Sequence, residues 1–149
     1  MRTINAYADR IDPQIGAVWH VNEMQVKNGG KWSWLWNVMD EKTRFMLVST
    51  ISKTRNIQDA RRVFQKAKQT AKSDPKFVVS DGLPAYIKSF KKEFFTLRKP
   101  RVQHIRKPRL VDHTNNNIVE RLSRTLRNRE KVIRGMKGDK TAEDLMNGF

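Results

Sequence analysis

The sequence predicts an α/β fold: a mixed five-stranded sheet in the order β-β-β-α-β-α-β-α, with helices on both faces. Three observations predict it. Three apolar segments, residues 17–27, 31–39 and 44–51, follow one another with short polar connections, as in an antiparallel meander. After residue 56 the apolar period changes from two to that of a helix. A short apolar run, Phe77-Val78-Val79, then lies between two helical segments, as a buried parallel strand reached by a crossover does.

Residues 1–16 read as an irregular lead-in, broken by Pro13 and Gly16, and residues 17–149 as one domain. Asn28-Gly29-Gly30 supplies the positive φ angles of a tight hairpin between the first two strands. Asp40–Thr43 is a polar turn, and Arg44–Ile51 is the third strand. Ile57, Ala60, Phe64, Ala67 and Ala71 recur at helical spacing, with Asn56 as cap and Asp59 in the first turn, where the dipole favours a negative charge. Residues 84–94 suit a helix that opens on Pro84. A short strand falls at Val102–Ile105 and a loop at 107–114. A long helix then opens at Asn116 or Asn117 and runs to about Arg134, ended by Gly135.

Composition narrows the function. The 149 residues hold 31 Lys plus Arg against 15 Asp plus Glu, a formal charge of +16. Such an excess implies a polyanionic partner, with nucleic acid first. No apolar run reaches the roughly 18 residues of a spanning helix, so a membrane partner is not expected. There is no cysteine, which removes thiolate metal sites and disulfide scaffolds and fits an intracellular protein. Four Trp and seven Phe supply a core.

Two acids stand out by position. Asp81 ends the fourth strand, where open α/β sheets place their ligands. Glu120 lies in the first turns of the long helix, off the stripe of Ile118, Val119, Leu122, Leu126 and Ile133. It shares a face with Asn116, Ser123, Arg124, Arg127 and Lys131. Taken singly, Asp81 is a turn former before Gly82 and Glu120 is a surface partner of Arg124. Taken together with the strand order, they suggest a site. Phosphodiester chemistry needs an attacking oxygen activated and a leaving oxygen stabilised; two Mg²⁺ ions about 3.5–4 Å apart do both, and hard cations prefer carboxylate oxygens.

Three stretches carry a resemblance: WHVNEMQVKNGGKWSWLWNVMD, VVSDGLPAY around Asp81, and NNNIVERLSRTLRNREKVIRGMK around Glu120. Over residues 18–146 the chain resembles the catalytic core of prokaryotic DDE transposases, in the retroviral-integrase-like group with a ribonuclease-H-like fold. The resemblance implies a catalytic trio at positions 22, 81 and 120. It also implies two Mg²⁺ (or Mn²⁺) ions in an active form, and metal-dependent DNA cleavage and strand transfer at element ends.

One position departs from the pattern. The family reads W-x-V-D-E where this chain reads Trp19-His20-Val21-Asn22-Glu23. Glu23 is not expected to substitute, because neighbours on a strand point to opposite faces. Asn22 offers a carbonyl oxygen without charge. Losing a unit charge about 4 Å from a dication costs several kcal/mol at an effective dielectric of about 20. Weak metal binding and little or no cleavage are therefore expected. Two histories fit, an introduced Asp→Asn change or a natural one in a repurposed copy.

Trp32, Trp34 and Trp36 alternate onto one face, either as a base-stacking platform or, as is commoner, packed under a helix. His20 shares a face with Asn22 and reads as structural; His104 and His113 lack zinc-ligand spacing. Two basic groups read as phosphate contacts: Arg106, Lys107 and Arg109 beside the fifth strand, and Arg124, Arg127, Lys131 and Arg134 on the long helix. Two functions follow. One is a transposase catalytic domain, impaired as written, truncated at its C-terminus, cytoplasmic and nucleoid-associated. It would act on DNA as a homodimer or larger synaptic assembly. The alternative is a non-catalytic DNA-binding module derived from such an enzyme.

Overall fold

The computed structural model describes residues 14–106 and, beyond them, residues 121, 123–125, 127 and 128. In chain order the elements are β1 (Val18–Asn28), β2 (Lys31–Asp40), β3 (Met46–Ser52), α1 (Ile57–Ala71), β4 (Phe77–Ser80), α2 (Pro84–Phe94) and β5 (Gln103–Arg106). Residues 121, 123–125, 127 and 128 are helical and belong to a third helix, α3. The five strands form one sheet in the order β3-β2-β1-β4-β5. The β1–β2 and β2–β3 pairs are antiparallel; β1–β4 and β4–β5 are parallel.

Local chemistry explains the meander. Gly29 and Gly30 take φ of +56° and +78°, the left-handed region that a two-residue hairpin turn requires of both central residues. Asp40, expected in the turn, instead closes β2 and organises the turn from inside. Its fully buried carboxylate accepts from Gly16 N (2.9 Å), Thr43 N (2.9 Å) and Thr43 Oγ1 (2.6 Å). Arg44 then takes a positive φ of 63°, which no strand tolerates, so β3 begins at Met46 rather than at Arg44.

Helix α1 has the expected limits and a full capping box: Asp59 N donates to Asn56 Oδ1 (2.9 Å), and Asn56 N donates to Asp59 Oδ2 (3.2 Å). Helix α2 opens on Pro84 as expected. Strand β5 sits one residue later than its apolar pattern suggests, because its register is set by β4: Phe77 pairs with Gln103 and Ser80 with Arg106.

Both crossovers, β3-α1-β4 and β4-α2-β5, step the same way across the sheet. Right-handed connections therefore put α1 and α2 on one face. That face holds the core, where Trp19, Val21, Trp36, Val38, Val48 and Val78 pack against Ala60, Val63, Phe64, Ala67, Tyr86 and Phe94. Phe64 lies edge-on to Phe90 and Phe94 at 6.5 and 5.4 Å, favourable aromatic geometry. The opposite face buries His20, Met24, Val26, Leu35, Asn37, Met39 and Val79. Helix α3 belongs to that face, through a hydrogen bond described next.

Candidate functional site

The site lies where β1 and β4 run parallel. Trp19 pairs with Val78 and His20 with Val79. Two more residues of this register bring Asn22 alongside Asp81, the first residue past β4. Paired residues in a parallel ladder share a face, so both positions fall on the side of His20 and Val79. Asn22 is half-buried and Asp81 exposed. Asp81 Oδ1 accepts from Leu83 N at 3.2 Å, which shapes the turn into α2.

Asn22 Nδ2 donates to Ser123 Oγ at 2.7 Å, and Ser123 is only 4% exposed. Ser123 thus meets the sheet at Asn22. Arg124 and Arg127 are exposed, as is Arg106 at the end of β5. Glu120, Lys107, Arg109, Lys131 and Arg134 lie outside the described residues, as do 1–13 of the expected lead-in.

Glu23 points to the other face, as alternation requires. Its side chain is only 1% exposed, and its carboxylate is held by the Tyr86 hydroxyl and the Arg55 guanidinium. Burial, with a smaller push from the Asp81 charge, raises its pKa above the ordinary 4.5, while Tyr86 and Arg55 act in the opposite direction. Burial, and then Glu23, pushes the Tyr86 phenol well above 10. The Asp81 charge reaches Glu23, but the Glu23 carboxylate is committed to Tyr86 and Arg55 and so does not stand in for an acid at position 22.

The turn carrying Asp81 has a second support that the sequence reading missed. Ser80, fully buried, shares a 2.8 Å hydrogen bond with His104 Nε2, and Gly82 N donates weakly to Ser80 Oγ at 3.4 Å. His104 stacks on Phe90 at 4.7 Å. Burial, helped by Arg106, lowers the His104 pKa to about 4, so the ring is neutral near pH 7. His20 is fully buried with Nε2 3.6 Å from Glu41, in keeping with a structural role. The tryptophan stripe divides: Trp36 is fully buried, Trp34 is half-buried beneath Arg55, and Trp32 is 63% exposed.

The donor set near Asn22 is poor for two dications. Asn22 brings one neutral oxygen and Asp81 one carboxylate. Among the described residues no group of three or more His, Cys, Asp or Glu could hold a metal ion. The described residues alone therefore do not fit a two-metal site. Also among the described residues, no helix is long and apolar enough to cross a membrane.

Comparison with known proteins agrees with this architecture. A family model described as a DDE domain matches residues 16–149. The HTLV-2 integrase catalytic core solved with magnesium superposes in its trimeric form with a TM-score of 0.63 at 12% identity, covering 89% of this chain and 84% of that one. Its dimeric form gives 0.56 at 14% identity over 76% of this chain and 68% of that one. A chain of the simian T-cell lymphotropic virus intasome, in complex with PP2A regulatory subunit B56 gamma, gives 0.59 at 14% identity over 90% of this chain. Our chain spans 48% of that intasome chain. A comparison with curated proteins gives no match.

Proposed function

Because the chain belongs to the family of transposase DDE domains, whose model spans residues 16–149, we propose that residues 17–149 form a DNA strand-transfer core. It would cut DNA at element ends and join the freed 3′-hydroxyl to target DNA. The observation that carries this reading is the convergence of Asn22, in the middle of β1, with Asp81, just past the end of β4, and with Ser123.

Glu120 completes the proposed trio. The family resemblance supplies it as the third acid, three residues before Ser123 in sequence. With an aspartate at position 22, these three residues would hold the divalent ions, which supply an activated nucleophile and a stabilised leaving oxygen. As written, Asn22 removes one negative charge and turns its amide to Ser123. We therefore read this chain as catalytically impaired. The Ser80–His104 pair holds the turn on which Asp81 sits, so its role is positional. Arg106, Arg124 and Arg127, all exposed, with Lys107, Arg109, Lys131 and Arg134, would bind phosphates without reading sequence. Integrase relatives solved as dimer, trimer and intasome support action as a homodimer or larger synaptic assembly. A cytoplasmic, nucleoid-associated protein of a prokaryote suits this role.

The Asn22–Ser123 bond also favours a second reading, a DNA-binding module that closes its old metal site with a hydrogen bond. Nicking and strand transfer on a labelled plasmid, with Mg²⁺ or Mn²⁺, separates the two. Activity in Asn22→Asp alone supports the masked enzyme. Inactivity of both chains, with salt-sensitive DNA binding kept, supports the module.

A further inference from the structure

The β1–β2 hairpin does not stop at the site. Strand β4 ends at Ser80, beside Val21 in the parallel register, whereas β1 continues to Asn28. The outer hairpin therefore projects past the candidate site at the same end of the sheet. On its α1 side the cross-strand pairs are Glu23 with Trp36, Gln25 with Trp34, and Lys27 with Trp32. Exposure rises outward along this row, from the buried Trp36 to Trp32 at 63%. Inward of Trp32, the Arg55 guanidinium lies 4.6 Å above the Trp34 ring, so this row already binds a planar cationic group on an indole.

The surroundings are basic. Lys27, Lys31 and Lys53 are exposed, Arg55 is paired with Glu23, and Lys53 reaches this end because Ser52, at the end of β3, pairs with Trp34. The sequence contains no Asp or Glu from Met24 to Met39 or from Arg44 to Gln58. The exposed Trp32 ring, beside Lys27 on the same face and at the hairpin end that carries Lys31 and Lys53, matches an unpaired base with its phosphates. Stacking of this kind accepts any base.

On the strength of the DNA-directed function above, we propose that the outer β1–β2 hairpin holds an unpaired DNA strand, with one base on Trp32 and phosphates on Lys31 and Lys53. Lys27, the cross-strand partner of Trp32, lies five residues beyond Asn22, about 17 Å along β1, and on the opposite, α1 face of the sheet.

The test is fluorescence anisotropy with a labelled 12-nucleotide single strand and the same sequence as duplex, using the full chain, Trp32→Ala, Trp32→Phe and Lys31→Glu/Lys53→Glu. We expect Trp32→Ala to weaken single-strand binding roughly tenfold, and duplex binding by less than about threefold. Trp32→Phe should keep most of the affinity, and the charge reversal should weaken both ligands and flatten their salt dependence. Should Trp32→Ala fail a near-ultraviolet circular dichroism check of folding, the other two variants decide. Unchanged single-strand affinity in Trp32→Ala overturns the proposal, as does a change of oligomeric state without a change in DNA binding. A parent chain that binds duplex but no single strand overturns this proposal and leaves the DNA-directed function standing; one that binds neither removes both.

Discussion

Asn22 and Ser123, 101 residues apart in sequence, meet side chain to side chain at 2.7 Å. The bond joins the middle of the central strand to a helix on the face opposite α1 and α2. An amide at position 22 can donate to a hydroxyl. A carboxylate at the same position can only accept, so the Ser123 hydroxyl would have to turn and donate instead. Residue 22 therefore decides whether Ser123 accepts from an amide or donates to a carboxylate, and whether the site carries a charged oxygen for a cation.

Removing the hydroxyl isolates this contact. Ser123→Ala should cost about 1 kcal/mol in urea unfolding, the usual net worth of one such bond. In the Asn22→Asp background the cost should change by at least about 0.5 kcal/mol, measured as a double-mutant cycle. Equal losses in both backgrounds would mean that Ser123 acts independently of residue 22.

Glu23 and His104 should shape the pH profile in opposite directions. Glu23 has a raised folded pKa, so its favourable contribution is full below about 4.5, its ordinary value, and is lost as pH rises through the folded value. His104 has a folded pKa lowered to about 4, so its contribution is full above 6.5 and is lost as pH falls toward 4. Denaturant unfolding between pH 4 and 8 should show Glu23→Gln removing a decline with rising pH. His104→Gln should remove a rise. Parallel profiles for parent and variant would contradict the assignment in either case.

The Asn56–Asp59 capping box gives a local check. Asn56→Ala should cost about 1 kcal/mol, and Asn56→Gly only a few tenths. Equal losses would show that the cap hydrogen bond is not what the helix uses.

The sequence carried local features well and distant ones poorly. The limits of α1 and α2, the Asn56 cap and the Gly29-Gly30 turn rest on spacing and backbone preference within a few residues, so they could be read directly. The β3 start slipped because the positive φ at Arg44 follows from the buried Asp40 carboxylate, a tertiary effect. The position of Asp81 beside Asn22 was legible only through strand order and family resemblance. The Glu23–Tyr86–Arg55 cluster and the Ser80–His104 pair left no signal, since their partners are 24 or more residues apart. The tryptophan stripe was read correctly as one face, but periodicity does not show where a covering helix stops. That limit separates the buried Trp36 from the exposed Trp32.

The central claim is that Asn22 silences a metal site shared with Asp81. Melting temperature against Mn²⁺ concentration tests it without needing DNA or turnover. Asn22→Asp should gain stability, on the order of 5–10 °C near a hundredfold excess over the dissociation constant. The parent chain and Asn22→Asp/Asp81→Asn should stay within about 1 °C of their metal-free values. An equal Mn²⁺ response in the parent and in Asn22→Asp would contradict the claim.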